Sequence, residues 1–187
     1  MNAERLLERP ALRSAFSVHR CHVMVLNRQR AYAADLPGLR AYVRSLKQVL
    51  GLGGRDFNVC LVADREMARL NAAYRCAARP TDVLSFPWKG DSQENGDGLR
   101  GREFHGFLGD VAISVETARR NARREGHSTL NEIRWLILHG ALHLLGYDHE
   151  RDHGEMAQLE HALREQLGTA GRRERRRGRK RAQGLHG

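Results

Sequence analysis

The sequence predicts a mixed α/β domain in which short strands are interleaved with amphipathic helices. Three observations carry this reading. Apolar runs too short for helices, at 57–63, 83–86 and 108–114, are bounded by turn or cap residues. Between them the apolar positions return at three- and four-residue spacing, most regularly from Leu36 to Leu50. The chain has 187 residues, 41% of them hydrophobic, which is the range of one domain that buries its own core.

Residues 1–15 read as a poorly ordered lead-in, and Ser17 to Asn27 (SVHRCHVMVLN) as a first, Val-rich strand. Leu39, Val43, Leu46 and Leu50 form the apolar stripe of a helix that ends before Gly51 and the turn-prone Gly53-Gly54. Phe57 to Ala63 reads as a buried strand. Asp64 is placed to cap the next helix, whose stripe passes through Met67, Leu70, Asn71 and Tyr74 and leaves Arg75 at the helix end. Arg79-Pro80-Thr81-Asp82 breaks the pattern, Val83 to Phe86 is a short strand stopped by Pro87, and Asp91 to Gly106 is a polar, Gly-rich loop of the kind that borders sites. Leu108 to Ser114 reads as another strand, followed by a basic helix from Val115 to Glu125 that stops at Gly126. Thr129-Leu130-Asn131-Glu132 has the form of a capping box ahead of the apolar run Ile133 to Leu145, which Gly146 ends. Asp152-His153-Gly154-Glu155 has the same form and opens a last helix reaching about Leu167. Strand order is not legible from the pattern, although one hairpin-like antiparallel pairing fits it.

The formal charge of +10 is concentrated at one end. From Gly168 to Gly187 eight basic residues (Arg172, Arg173, Arg175, Arg176, Arg177, Arg179, Lys180, Arg181) face one acid, Glu174, a local +7. Such a block cannot bury enough surface to offset its ordering entropy, so it is expected to be disordered alone and to favour a polyanionic partner, nucleic acid before lipid, with a plain solubility role as the bland alternative. Cys21, Cys60 and Cys76 are odd in number and form no C-x-x-C pair, as expected in a reducing compartment. Charged residues Glu4, Arg5, Glu8 and Arg9 stand where a secretion signal needs an apolar core, and the uncharged run Trp135 to Tyr147 is too short to span a bilayer. The expectation is a cytoplasmic protein with no membrane partner.

His139 and His143 lie four residues apart on the apolar helix WLILHGALHLLG, so their side chains differ by about 40° around the axis and about 6 Å along it and can reach one ion. The chain turns at Gly146 and His149 follows, placed to give a third ligand while leaving a fourth position to water, the arrangement of a catalytic zinc site. An isolated His pair at this spacing is more often ordinary surface or core chemistry. Here two imidazoles in an apolar helix would be costly to bury without a ligand, and a third His follows the helix break. Imidazole also suits Ni, Co and Cu, so spacing alone does not select zinc. Gly140 occupies the position at which the zinc-protease pattern H-E-x-x-H carries its general-base Glu, which makes proteolysis the less favoured hydrolysis.

The run H-G-A-L-H-L-L-G-Y-D-H, His139 to His149, resembles the signature of the YbeY family of metal-dependent endoribonucleases. Leu70-Asn71-Ala72-Ala73-Tyr74-Arg75, leading to Pro80-Thr81-Asp82-Val83-Leu84-Ser85-Phe86-Pro87, and Leu108-Gly109-Asp110-Val111-Ala112-Ile113-Ser114 fit the same family, so the resemblance covers roughly residues 20–167. It implies an α+β fold, a small mixed β-sheet packed with several α-helices, with a zincin-like His-x3-His helix binding one Zn2+ through His139, His143 and His149. It implies cleavage of single-stranded RNA in ribosomal RNA processing, notably maturation of the 16S rRNA 3′ end, in contact with the small ribosomal subunit, and a part in ribosome quality control. The expected organisation is a lead-in at 1–15, a metal-dependent hydrolase domain at 16–167 and a disordered Arg-rich tail at 168–187. Arg75 matches the Arg of the family's L-N-x-x-Y-R segment and is the preferred catalytic side chain, holding a phosphate bidentately; the alternative is a helix-end Arg paired with the dipole and an acid. Asp148 and Asp110 are candidates for orienting ligand imidazoles or equally for turn and cap roles, and Asp82 leans structural. His153, His19 and His22 are left outside the site.

Two other functions compete: a metalloprotease-like hydrolase whose base comes from elsewhere, which Gly140 disfavours, and a non-catalytic ribosome-assembly factor in which zinc is structural and the basic tail binds. Three His without a fourth protein ligand favour an open, reactive position over a structural one. The general base and the oligomeric state are not named by the sequence.

Overall fold

The computed structural model describes residues 24–88, 106–148, 152 and 154–168. In chain order the elements are β1 (Val25–Asn27), α1 (Leu36–Val49), β2 (Asp56–Val62), α2 (Asp64–Arg75), β3 (Val83–Pro87), β4 (Phe107–Ser114), α3 (Val115–Glu125), α4 (Thr129–Leu144) and α5 (155–168). The four strands form one mixed sheet in the order β1-β2-β4-β3. β1, β2 and β4 run parallel, and β3 closes one edge antiparallel to β4. This is the expected α+β architecture, with the antiparallel pairing between β3 and β4.

The period-2 alternation of the strands separates two cores. Val25, Phe57, Val59, Leu61, Val111 and Ile113 face a large layer formed by Leu39, Val43 and Leu46 of α1, Ile133, Ile137 and Leu142 of α4, and Met156, Leu163 and Leu167 of α5. Cys60, Val62, Leu84 and Ala112 face the other way, against Met67 and Leu70 of α2. β2 is interior and covered on both faces, which is why its sequence is a near-continuous apolar run rather than an alternating one. β3 tolerates Pro87 because it is an edge strand and Pro87 is its last residue.

α4 lies close against the sheet. A row of paired residues, Val25, Val59, Val111 and Ser85, crosses the sheet beneath it. Gly140 sits over the end of that row: a Cβ there would meet Val111 Cγ1 at 2.6 Å and Ser85 Oγ at 3.1 Å, and its carbonyl accepts from Ser85 Oγ at 3.1 Å. Gly109 of β4, at φ 138°, is needed for the same approach, since a Cβ would stand 2.2 Å from Phe86 O and 2.9 Å from Leu144 Cδ2.

Three local readings are corrected. The cap of α4 is Ser128, whose side chain accepts from Asn131 N at 3.2 Å, not Thr129. Counted from Ser128, Glu132 is one position too late to reach back to the cap, and it pairs instead with His127 at 2.6 Å. Asp64 does not cap α2; its carboxylate accepts from Ser114 Oγ, from Thr117 Oγ1 at 2.7 Å and from Arg120 Nη2 at 2.8 Å, tying α2 to α3. Asp152 does act as a cap, accepting from Gly154 N at 2.9 Å and Met156 N at 2.8 Å at the start of α5. Among the described residues no helix is long and apolar enough to cross a membrane. The lead-in, most of the Ser17 to Asn27 run, the Asp91 to Gly106 loop short of Gly106, Cys21, His19, His22, His149, His153 and the tail beyond Gly168 lie outside the described residues.

Candidate active site

His139 and His143 leave the same face of α4, each half-buried, with ring centroids 4.7 Å apart. Their Nε2 atoms face each other at 3.1 Å. Two imidazole nitrogens bound tetrahedrally to one zinc ion, each at about 2.0–2.1 Å, stand about 3.3 Å apart, so the donor pair fits such an ion with little adjustment. The opposite nitrogen of His139, Nδ1, lies 3.2 Å from Glu160 Oε2 of α5, the geometry of a ring N–H donating to a carboxylate. That bond selects the tautomer whose Nε2 carries the lone pair, which is how ligand imidazoles are commonly oriented. Glu160 is in turn held by Arg164, one turn along α5. Burial pushes the Glu160 carboxyl up, but the hydrogen bond from His139 and the Arg164 charge outweigh it and hold the group below its ordinary range.

Glu160 was missed by sequence reasoning, and a signal for it exists. Met156, Glu160, Leu163 and Leu167 fall at helical spacing on the buried side of α5, so one acid interrupts an apolar stripe. A charged residue in that register needs a partner, and His139 with Arg164 supplies it. A polar cavity of about 290 Å³ opens beside His139, lined also by Asp82, Asn121, Trp135 and Arg164. Asp82 there accepts from Val83 N at 2.9 Å and from Asn121 Nδ2 at 3.2 Å. A second group of metal-ligand type, Glu125, His127 and Glu132, has ligand atoms within 4.8 Å of one another at the turn between α3 and α4. There His127 is engaged by Glu132 and packed at a tilt against Trp135, with ring centroids 4.4 Å apart.

Arg75 is the last residue of α2 and is exposed. Among the described residues it forms no ion pair, and it stands in the last turn of α2, where its charge suits the helix dipole. Cys76 follows in the left-handed region at φ 55°, and Asn71 Nδ2 donates to Arg79 O at 2.8 Å, which fixes the loop after Arg75. α2 and α4 cover opposite faces of the sheet, and both reach edge strand β3: Tyr74 packs edge-on to Phe86 at 4.5 Å, while Ser85 bonds α4. Asp110 is not near the imidazoles. It points to the α2 face, accepts from Asn58 Nδ2 at 2.9 Å, and is pushed up to about 6 by burial, against which the Asn58 bond works. Asp148 is half-buried just past the end of α4 and accepts from Asp152 N at 3.0 Å through its backbone carbonyl.

A family profile described as Endoribonuclease YbeY matches residues 38–168. Proteins named Endoribonuclease YbeY are similar to this chain. That of Aquifex aeolicus is 47% identical over 54% of this chain and 61% of its own length. That of Solibacter usitatus is 42% identical over 71% of this chain and 79% of its own. That of a Sulfurovum species is 34% identical over 78% and 91% respectively. The solution structure of TM1509 from Thermotoga maritima is similar with a TM-score of 0.54 and 25% identity, covering 81% of this chain and 93% of that one.

Proposed function

Because the chain belongs to the endoribonuclease YbeY family, we propose that it is a zinc-dependent endoribonuclease that cleaves single-stranded RNA. It acts in ribosomal RNA processing, including maturation of the 16S rRNA 3′ end, and in ribosome quality control. Its place of action is then the cytoplasm, on the small ribosomal subunit. The observation that carries the reading is the facing pair of imidazoles, His139 and His143, with Glu160 holding the far nitrogen of His139. His149, six residues on, is the third ligand.

A zinc ion held by these three residues supplies polarisation of a phosphoryl oxygen and activation of water near neutral pH. The chain supplies the rest. Glu160 and Arg164 orient His139. Arg75 grips a phosphate of the substrate and stabilises the negative charge that grows on it; its exposed guanidinium, without a partner among the described residues, supports that role. Tyr74 and Trp88, 38% and 43% exposed near the C-terminal end of β3, offer faces on which unpaired bases stack, in keeping with a single-stranded substrate. Gly140 weighs against a protease, because position 140 faces the sheet and has no room for the Glu that peptide hydrolysis would require there.

Arg75→Ala is expected to lower turnover of a single-stranded RNA by about 10²-fold or more while zinc content stays at the wild-type level. Unchanged cleavage with normal zinc removes Arg75 from the chemistry. Cleavage of peptides in place of RNA by the unmodified protein removes the proposal itself.

A further inference from the structure

We propose that the cavity between α1, α4 and α5 is a phosphate-binding subsite for the RNA strand, next to the histidines; the inference rests on the RNA reading above. The cavity has a volume of about 440 Å³ and is lined by Tyr42 of α1, Arg134 and Trp135 of α4, and His161, Arg164 and Glu165 of α5. That is within the size range of pockets that bind small organic groups.

Two guanidinium groups on this wall have donors left unpaired. Arg134 makes no hydrogen bond or ion pair among the described residues, and its Nε is buried without a partner. Arg164 gives one arm to Glu160, but its Nε is likewise buried and unpaired. The two Nε atoms are closed to solvent, so an anion entering the cavity would meet the terminal nitrogens, those of Arg134 without an acceptor among the described residues and those of Arg164 left over from Glu160. Each guanidinium is backed by a ring: Arg134 lies 5.6 Å from the Tyr42 centroid and Arg164 lies 4.6 Å from that of Trp135. Stacking fixes the planes and leaves the donor edges to meet phosphate oxygens in a fork. Glu165 is the acid among the lining residues; it is exposed, where water screens it.

Position selects a nucleic-acid phosphate over a free anion. Trp135 and Arg164 line both this cavity and the one that holds His139, so the two share a wall. A strand with one phosphate gripped by Arg134 and Arg164 is held beside the proposed metal ligands. α5 then leads into the arginine-rich stretch 172–181, which extends the same preference along the sequence.

The test is a titration of the full-length, zinc-loaded protein with 2′-O-methyl hexauridylate across a range of salt, with pyrophosphate as a second probe. Arg134→Gln is expected to weaken hexauridylate binding by about 10- to 30-fold at low salt and to flatten the slope of log affinity against log salt by about 0.7, the value of one phosphate contact on a single strand. Arg44→Gln, an exposed arginine of α1 outside the cavity, is the control and leaves both unchanged. Should Arg134→Gln melt early, Arg134→Lys replaces it, keeping the charge and losing the fork, with an expected loss of a few-fold. Equal affinity and slope for wild type and Arg134→Gln overturn the subsite even if the protein cleaves RNA. Pyrophosphate binding that depends on Arg134 without hexauridylate binding overturns it as well. Absence of RNA cleavage with hexauridylate binding intact supports the subsite and counts against the enzymatic reading alone.

Discussion

Side chains divide into those whose role follows from their neighbours in sequence and those whose partners come from another element. His139 and His143 are of the first kind, because a four-residue spacing on one helix puts two imidazoles on one face whatever the rest of the chain does. Glu160 and Asp110 are of the second. Glu160 reaches His139 from a helix 21 residues on, so no local pattern joins them, although its place on an apolar stripe marks it. Asp110 sits between small and apolar residues in a strand, and its face of the sheet is decided by register; the structure turns it away from the histidines and toward Asn58. Its carboxyl is raised from 3.8 to about 6, chiefly by burial. A raised pKa means the folded state holds this proton more tightly than the unfolded one, so the contribution is full below about pH 3.8 and is lost as pH rises through about 6. Asp110→Asn keeps the acceptor for Asn58 and removes the charge. Thermal melts are expected to show a gain of up to about 3 kcal/mol at pH 7 and well under about 1 kcal/mol at pH 4, with about 2–4 °C for each kcal/mol. An equal gain at both pH values would contradict this assignment.

Elements were the most legible level. The helix at 115–125 has the bounds its periodicity and Gly126 predict, and the apolar run after residue 129 is the helix that carries the histidines. The errors are errors of capping: Ser128 and Thr129 are equally good caps by type, and Asp64 has the right chemistry but is claimed by Ser114 at the end of β4 and by Thr117 and Arg120 of α3. Those competitors are more than 40 residues away and invisible to local reasoning. Gly140 stands where a zinc protease carries its general-base Glu, and the structure gives a second and sufficient reason for glycine, the close seating of α4 on Val111 and Ser85. Gly140→Ala places a methyl group 2.6 Å from Val111 Cγ1 and is expected to destabilise the domain by about 1–3 kcal/mol, despite alanine's better helix propensity. Denaturant melts check it; a stability gain would mean that α4 has room to lift off the sheet.

For the whole molecule, composition bounds the size and locates the charge but does not give the order β1-β2-β4-β3, because strand order depends on contacts far apart in sequence. The mixed sheet matters to function: it sets α2 and α4 on opposite faces, with edge strand β3 reached by both, so the end carrying Arg75 and the helix carrying the histidines flank one edge. Charge belongs to this scale too. Eight basic residues between Arg172 and Arg181 hold most of the chain's formal +10. Removing residues 169–187 is expected to weaken binding of single-stranded RNA and to flatten its salt dependence, leaving zinc content unchanged; filter binding at several salt concentrations reads both, and an unaltered slope would count against a role of the tail in RNA contact. One zinc ion held by His139, His143 and His149 is the proposed centre of RNA hydrolysis. Its most direct test is zinc content measured together with cleavage of a single-stranded RNA, for the unmodified protein and for His139→Ala. One zinc per chain with active cleavage is expected in the first, and loss of both in a His139→Ala protein that still melts cooperatively. A folded His139→Ala protein that cleaves RNA at the unmodified rate would contradict it.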